Sequence, residues 1–371
     1  MAARRAGALV VHVTSHGYGH MNRTVAAVNL VPEDVPVVVR SSADLFPNWR
    51  ERLTRPAELE EHVSDAGAVN PIGDSGTTDA AATIERAIRV HREAVARLDD
   101  DARRLRELGA AAVLCDAPPL PLRAAAKAGV PGWLLANFTW YDIYASHARS
   151  ADPEAKRLLA HHKAAYREAA GVFRAQPALA MSWLPNRTDV GLVANPGRDR
   201  SKELRSLLGL GDREKLVYFY VGRYGQDDLD WGRLASFAAR GVHFVGYHAA
   251  PGGDLPNLHL VKASEWSGGD LIASADAVVA KAGYGTMSES MAHGRPIIYP
   301  PRFGFAEHRA LDRAARAWGG GLPVSSRDFA AMRIGPALDR AFALGRLAPP
   351  FPADGAARVA ERLTAICRAR R

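Results

Sequence analysis

The chain has 371 residues, a formal net charge of +8 at neutral pH, 47% apolar and 24% charged residues. That length exceeds one ordinary core and implies two domains, and the composition excludes a disordered chain. The positive balance admits anionic ligands, but the arginines stand beside acids at helical spacing, as in Glu85-Arg86 and Arg92-Glu93. That is the pattern of solvated helix faces, and no basic-aromatic platform for nucleic acid is present.

Two cysteines, Cys115 and Cys367, are too few for a disulfide framework or a metal site and fit a reducing cytoplasm. The Asn-x-Thr triplets at Asn22, Asn137 and Asn186 then have no meaning as glycan acceptors. The apolar run Ala8 to Val13 is short and contains His12, so it reads as a first buried strand rather than a signal peptide. No run approaches the roughly 20 apolar residues of a membrane span, which leaves only contact with a membrane surface open.

In chain order, Leu9 to Thr14 reads as a strand, followed by a Gly-rich turn and a helix from about Met21 to Val31. Pro36 to Arg40 is a second strand. One long amphipathic helix is expected over Asp79 to Leu108, then a strand at Ala111 to Cys115, a helix at Pro121 to Ala128 and a strand at Gly132 to Ala136. Pro and Gly at Asn195-Pro196-Gly197 end this unit. The strand Lys215 to Val221 opens a second, with further strands at Val242 to Gly246, Leu258 to Val261, Ala277 to Ala280 and Pro296 to Tyr299. Ala356 to Arg371 reads as a last helix. The fold class is α/β: two facing Rossmann-like domains, each a parallel doubly wound sheet. The expected bounds are 1–195, 196–350 and a terminal helix, 351–371, returning to the first domain.

Five strand-end loops carry candidate chemistry. The first, His16-Gly17-Tyr18-Gly19-His20, places a histidine at the mouth of a cleft and a helix N-terminus beside it. It reads either as a proton-transfer site or as a glycine turn with structural histidines. Asp116 closes a buried strand and either orients that histidine or caps the next helix. Gly222-Arg223-Tyr224-Gly225 can cradle phosphate. In Gly283-Tyr284-Gly285-Thr286-Met287-Ser288-Glu289, amides and the Thr286 hydroxyl can grip a diphosphate while Glu289 takes ribose hydroxyls. Alternatively, Thr286 and Glu289 form a capping box. Glu307 and His308 open a helix and can bind sugar hydroxyls.

Together these loops resemble the GT-B glycosyltransferases, in particular the MurG-like and plant UDP-glycosyltransferase-like branches, over roughly residues 8 to 345. The resemblance places His20 on the catalytic base, with His16 as the alternative, and Asp116 on its partner. It places Gly222 and Arg223 on the diphosphate loop, although Arg223 departs from the family's pattern. Gly283, Tyr284, Gly285, Thr286, Ser288 and Glu289 fall on the donor motif, and Glu307 with His308 on the pair that holds the donor sugar. Lys262 and Trp266 are expected near the base, with Trp266 stacking on it or simply packing. Tyr18, Trp140 and Tyr141 are expected to line the acceptor pocket or to be core. A closer similarity, through His16 to Arg23, Asp116 to Tyr144 and Gly283 to Arg295, is to the glycosyltransferase-like domain of plant L-arabinokinases. No kinase half follows, so the module is expected to stand alone.

The resemblance implies an inverting, metal-independent transfer of a sugar from a nucleotide-diphosphate-sugar, UDP favoured, to a small-molecule acceptor, with no cofactor. Asp99-Asp100-Asp101 mimics an acidic metal motif but lies within a helix pattern. The competing readings are a nucleotide-sugar epimerase or hydrolase and a non-catalytic nucleotide-sugar-binding protein of the same fold.

Overall fold

The computed structural model describes residues 6–16, 18–71, 77–149, 152–221 and 229–370. Seven strands form the first sheet: β1 (Ala8–Val13), β2 (Val37–Ser41), β3 (Glu58–Glu61), β4 (Ala110–Asp116), β5 (Gly132–Ala136), β6 (Gly171–Ala175) and β7 (Arg187–Gly191). Six form the second: β8 (Lys215–Tyr220), β9 (Val242–Gly246), β10 (Leu258–Leu260), β11 (Ala277–Ala280), β12 (Ile297–Tyr299) and β13 (Gly321–Pro323). The first sheet runs in the order β3-β2-β1-β4-β5-β6-β7, the second β10-β9-β8-β11-β12-β13. Each strand pair in both is parallel.

Parallel strands covered on both faces read as continuous apolar runs, and β1 and β4 do so: every residue of β1 is buried, as are Ala111 to Asp116. The strand order reverses between β1 and β4 and again between β8 and β11. Crossovers leave on opposite sides at such a switch, so the loops after these strands part and open a crevice.

One expectation fails. The helix expected over Asp79 to Leu108 is two, Ala80–Ala96 and Leu98–Glu107, broken at Arg97 (φ −97°, ψ 3°). Asp99, Asp100 and Asp101 then fill the first turn of the second helix, where negative charge is favourable. Each is paired: Asp99 with Lys127, Asp100 with Arg103, Asp101 with His62 and Arg40. Strands β3, β6, β7 and β13 were not anticipated. β3 is half-exposed and rich in glutamate, and β13 is only three residues long, so neither shows an apolar run.

Helix Gly355–Ala369 crosses back from the second sheet and packs on β1, β4, β7 and helix Tyr18–Val28. Gly7 N–H donates to the Cys367 carbonyl at 3.1 Å. Between the sheets, a Cβ on Gly197 would fall 2.0 Å from the Gly269 carbonyl oxygen, so only glycine lets the connecting segment lie this close. Cys115 and Cys367 are both buried free thiols. Among the described residues no helix is long and apolar enough to cross a membrane.

Candidate active site

The parallel register pairs Val13 with Asp116, and Thr14 N–H donates to the Asp116 carbonyl at 2.8 Å. The carboxylate therefore ends β4 beside the turn that leads from β1 into helix Tyr18–Val28. His20 lies in the first turn of that helix, 8% exposed, with Nδ1 2.7 Å from Asp116 Oδ1. The Asp116 side chain is wholly buried and accepts further bonds from Thr24 Oγ1 at 2.7 Å, Arg23 Nε at 2.9 Å and Arg23 Nη2. Burial opposes its ionisation, but Arg23 and His20 more than offset this and hold its pKa down to about 2. An ionised Asp116 requires a proton on His20 Nδ1, which leaves the lone pair on Nε2.

His16 is not equivalent. Its Nδ1 accepts the Ala68 amide at 3.2 Å, which leaves its proton on Nε2. Burial first, then the charges of His20, Arg302, Lys281 and Arg86, push its pKa down to about 3. Gly67 presses on this ring from a left-handed φ of +66°, and a Cβ there would fall 2.6 Å from it. The alternative assignment of His16 as base is thereby corrected: the lone pair that would take a proton is already committed.

Trp140 and Tyr141 do not form an acceptor wall. Trp140 is completely buried and donates its indole N–H to Asp65 Oδ2 at 2.6 Å. Tyr141 packs edge-on against Trp183 at 4.7 Å and lies under Lys163, in a separate core cluster from Trp140. Tyr18, 38% exposed, opens helix Tyr18–Val28 at the cleft.

Across the cleft, β11 leads through Gly283, an extended N-cap (φ −126°), into helix Tyr284–His293. No side chain caps this helix. Thr286 lies inside its first turn, so the capping-box reading of Thr286 and Glu289 is corrected, and the first-turn amides keep their donors. A Cβ on Gly285 would lie 4.0 Å from Gly19 Cα, which brings the two helix starts face to face. Three motif residues are engaged with protein. Ser288 donates to the Gly285 carbonyl at 2.9 Å. Tyr284 donates to the Gln176 carbonyl at 3.1 Å and accepts from Val193 N–H at 3.2 Å. These contacts commit the side chains of Tyr284 and Ser288, but not their amides, to the framework. Glu289 is buried and accepts from Asn195 Nδ2 at 3.0 Å with one oxygen, and burial raises its pKa.

Glu307 starts helix Glu307–Trp318 and is 4% exposed. It accepts from Asn137 Nδ2 at 2.6 Å, a residue of the first domain, and lies 3.8 Å from Arg302. His308 beside it is half-buried, edge-on to Tyr299. Lys281, at the end of β11, has no ion-pair partner among the described residues. Burial and the charge of Arg302 lower its pKa to about 8. Arg302 itself covers the Phe305 ring at 4.6 Å. Trp266 is 2% exposed with the Arg200 guanidinium 3.7 Å from its centroid, so it packs and offers no open face to a base. Lys262 is exposed and paired with Glu265. Gly222 and Arg223 lie outside the described residues.

The sequence reading gave no role to Arg23, Thr24, Asn137, Asp65 or Arg302, which the structure brings to this cleft. The spacing of His20 and Arg23 carried a signal, since residues three apart share a helix face. Asp65 carried none: it lies in an irregular segment and holds Thr14 Oγ1 at 2.8 Å as well as Trp140.

No family model matches the chain. It is 26% identical over 337 residues to L-arabinokinase of Arabidopsis thaliana, across 90% of this chain and 32% of that protein. The chain thus spans about a third of the length of this curated relative. Solved structures superpose over nearly its whole length. The glycosyltransferase of kitacinnamycin matches with a TM-score of 0.62 at 14% identity, covering 99% of this chain and 96% of that one. The calicheamicin glycosyltransferase CalG4 matches at 0.62 and 15%, covering 99% and 95%. UDP-glucose: anthocyanidin 3-O-glucosyltransferase, solved in complex with UDP, matches at 0.61 and 12%, covering 98% and 100%. These likenesses establish the two-domain fold of the GT-B glycosyltransferases.

Proposed function

We propose that the chain transfers a sugar from a nucleotide-diphosphate-sugar to a hydroxyl or amine of a small-molecule acceptor, with inversion and without a metal. The observation that carries this reading is the 2.7 Å His20–Asp116 contact at the switch point of the first sheet, facing the uncapped helix start at Tyr284 across the cleft.

His20 Nε2 takes the acceptor proton. The acceptor oxygen or nitrogen then bonds to the anomeric carbon as the bond from that carbon to the diphosphate breaks, and the electron pair leaves with the nucleoside diphosphate. Attack opposite the leaving group inverts the centre, and no second carboxylate is needed as nucleophile. Amides of Tyr284, Gly285 and Thr286, the helix dipole and the cations Lys281 and Arg302 stabilise the departing charge. Glu289 takes ribose hydroxyls with the oxygen that Asn195 leaves open. A UDP-sugar is the favoured donor, by likeness to the UDP-dependent fold neighbour.

The commitment of Glu307 to Asn137 favours one second reading, a nucleotide-sugar binder that does not transfer. Incubation with UDP-, dTDP- and GDP-sugars and a panel of phenolic, alcoholic and amine acceptors separates the two. Transfer gives glycosylated product with one nucleoside diphosphate per sugar moved. A binder gives calorimetric heat and no product.

A further inference from the structure

Arg23 stands three residues after His20, so both side chains leave the same face of helix Tyr18–Val28. It is a cation with 2% exposure, and all three guanidinium nitrogens are engaged. Nε and Nη2 hold the two oxygens of Asp116, Nη1 donates to Asn137 Oδ1 at 2.5 Å, and Nη2 also stands 3.1 Å from His20 Nδ1. The Tyr284 ring of the second domain covers the guanidinium at 4.8 Å.

Two consequences follow. A carboxylate facing only an imidazole lends its whole charge to the imidazolium. Here a permanent cation shares that carboxylate and sits against the same ring nitrogen, so the guanidinium fixes where Asp116 meets the ring. In addition, the bond from Nη1 fixes which end of the Asn137 amide is oxygen. Its nitrogen end is thereby aimed at Glu307 Oε1, 2.6 Å away on the second domain. His20, Arg23, Asn137 and Glu307 form one chain of contacts across the domain boundary.

We propose that Arg23 is a positioning residue that holds Asp116 toward His20 and, through Asn137, couples that pair to Glu307 and the seating of the second domain. The catalytic meaning rests on the reading of His20 as base, but the coupling does not need turnover to be measured. The charged and titratable groups around His20 are Asp116 on β4, Arg23 on its own helix, His16 after β1 and Asp65 in the loop after β3. Phe138 and Trp140 lie against the ring edge-on and tilted.

The test is nitrogen NMR of the His20 ring in the full chain, labelled at histidine and assigned with His20→Gln. Arg23→Gln releases both oxygens of Asp116 and the Asn137 amide, so the His20 Nδ1 and Nε2 resonances move from their wild-type positions. Arg23→Lys keeps the charge but loses the fork that meets Asp116 and Asn137 together, so it moves the same resonances in the same direction. Asn137→Ala and Glu307→Gln leave the Arg23–Asp116 pair intact. Each shifts the His20 ring resonances, and the double variant shifts them no further than Asn137→Ala alone. Unmoved His20 ring resonances in Arg23→Gln, or fully additive shifts in the double variant, overturn the proposal. Should Arg23→Gln fail to fold, the Asn137–Glu307 cycle decides. Absence of sugar transfer with these shifts present refutes the proposed function and leaves the positioning role standing.

Discussion

Nδ1 of His20 lies 2.7 Å from Oδ1 of Asp116, although 96 residues separate them. The sheet creates this proximity: β1 and β4 are neighbours at the point where strand order reverses, and each ends at the same level of the crevice.

Substituting His20→Ala leaves Asp116 held by Arg23 and Thr24, so the fold and donor pocket persist. On the proposed function, loss of the general base lowers kcat by about 10²- to 10⁴-fold, while calorimetric donor affinity stays within about twofold of wild type. Unchanged turnover in this variant removes the base assignment.

Substituting Asp116→Asn leaves the Arg23 guanidinium buried without its ion-pair partner. Breaking one side of a buried pair costs about 3–5 kcal/mol, which urea titration reads directly. The pH dependence has a defined sign. The folded pKa of about 2 is below the ordinary carboxylate value. The contribution of Asp116 is therefore complete above about pH 4 and lost as pH falls toward about 2, and the Asn variant lacks this acid-side loss.

Asp65 has the opposite sign. Burial raises its pKa to about 6 despite bonds from Thr14 and Trp140. Between about pH 4 and 6 the native state holds a proton that the unfolded chain has released, so wild-type stability declines as pH rises through this window. Asp65→Asn has no such proton, and the difference in urea midpoint between wild type and variant changes across that window. A constant difference from about pH 4 to 7 contradicts the placement of Asp65.

The strand-end loops were legible because glycines, histidines and acids after apolar runs stand out in one dimension. His20, Asp116, Glu289 and Glu307 stand out this way, and the structure brings them to one cleft. Arg23 and Asn137 were not, because their roles come from contacts with residues 93 and 170 positions away, which no local pattern encodes. The same reason left two readings open for Trp140 and Trp266. Trp140 and Trp266 look like ligand platforms in sequence, but Asp65 and Arg200 occupy them. The helix break at Arg97 was hidden because apolar spacing continues through it.

Glu289→Ala removes the acceptor oxygens beside the expected ribose position and frees Asn195. The proposed site predicts donor binding weakened by about 1–3 kcal/mol, with the fold retained. Equal calorimetric affinity in wild type and variant refutes the ribose role.

The central claim is tested most directly by mixing wild-type protein and His20→Ala with UDP-, dTDP- and GDP-sugars and an acceptor panel, then detecting glycosylated product by mass spectrometry. The account predicts product from wild type with at least one donor, accompanied by equimolar nucleoside diphosphate, and its near-complete loss in His20→Ala. Equal product from both proteins, or calorimetric binding of a donor with no product from wild type across the panel, contradicts it.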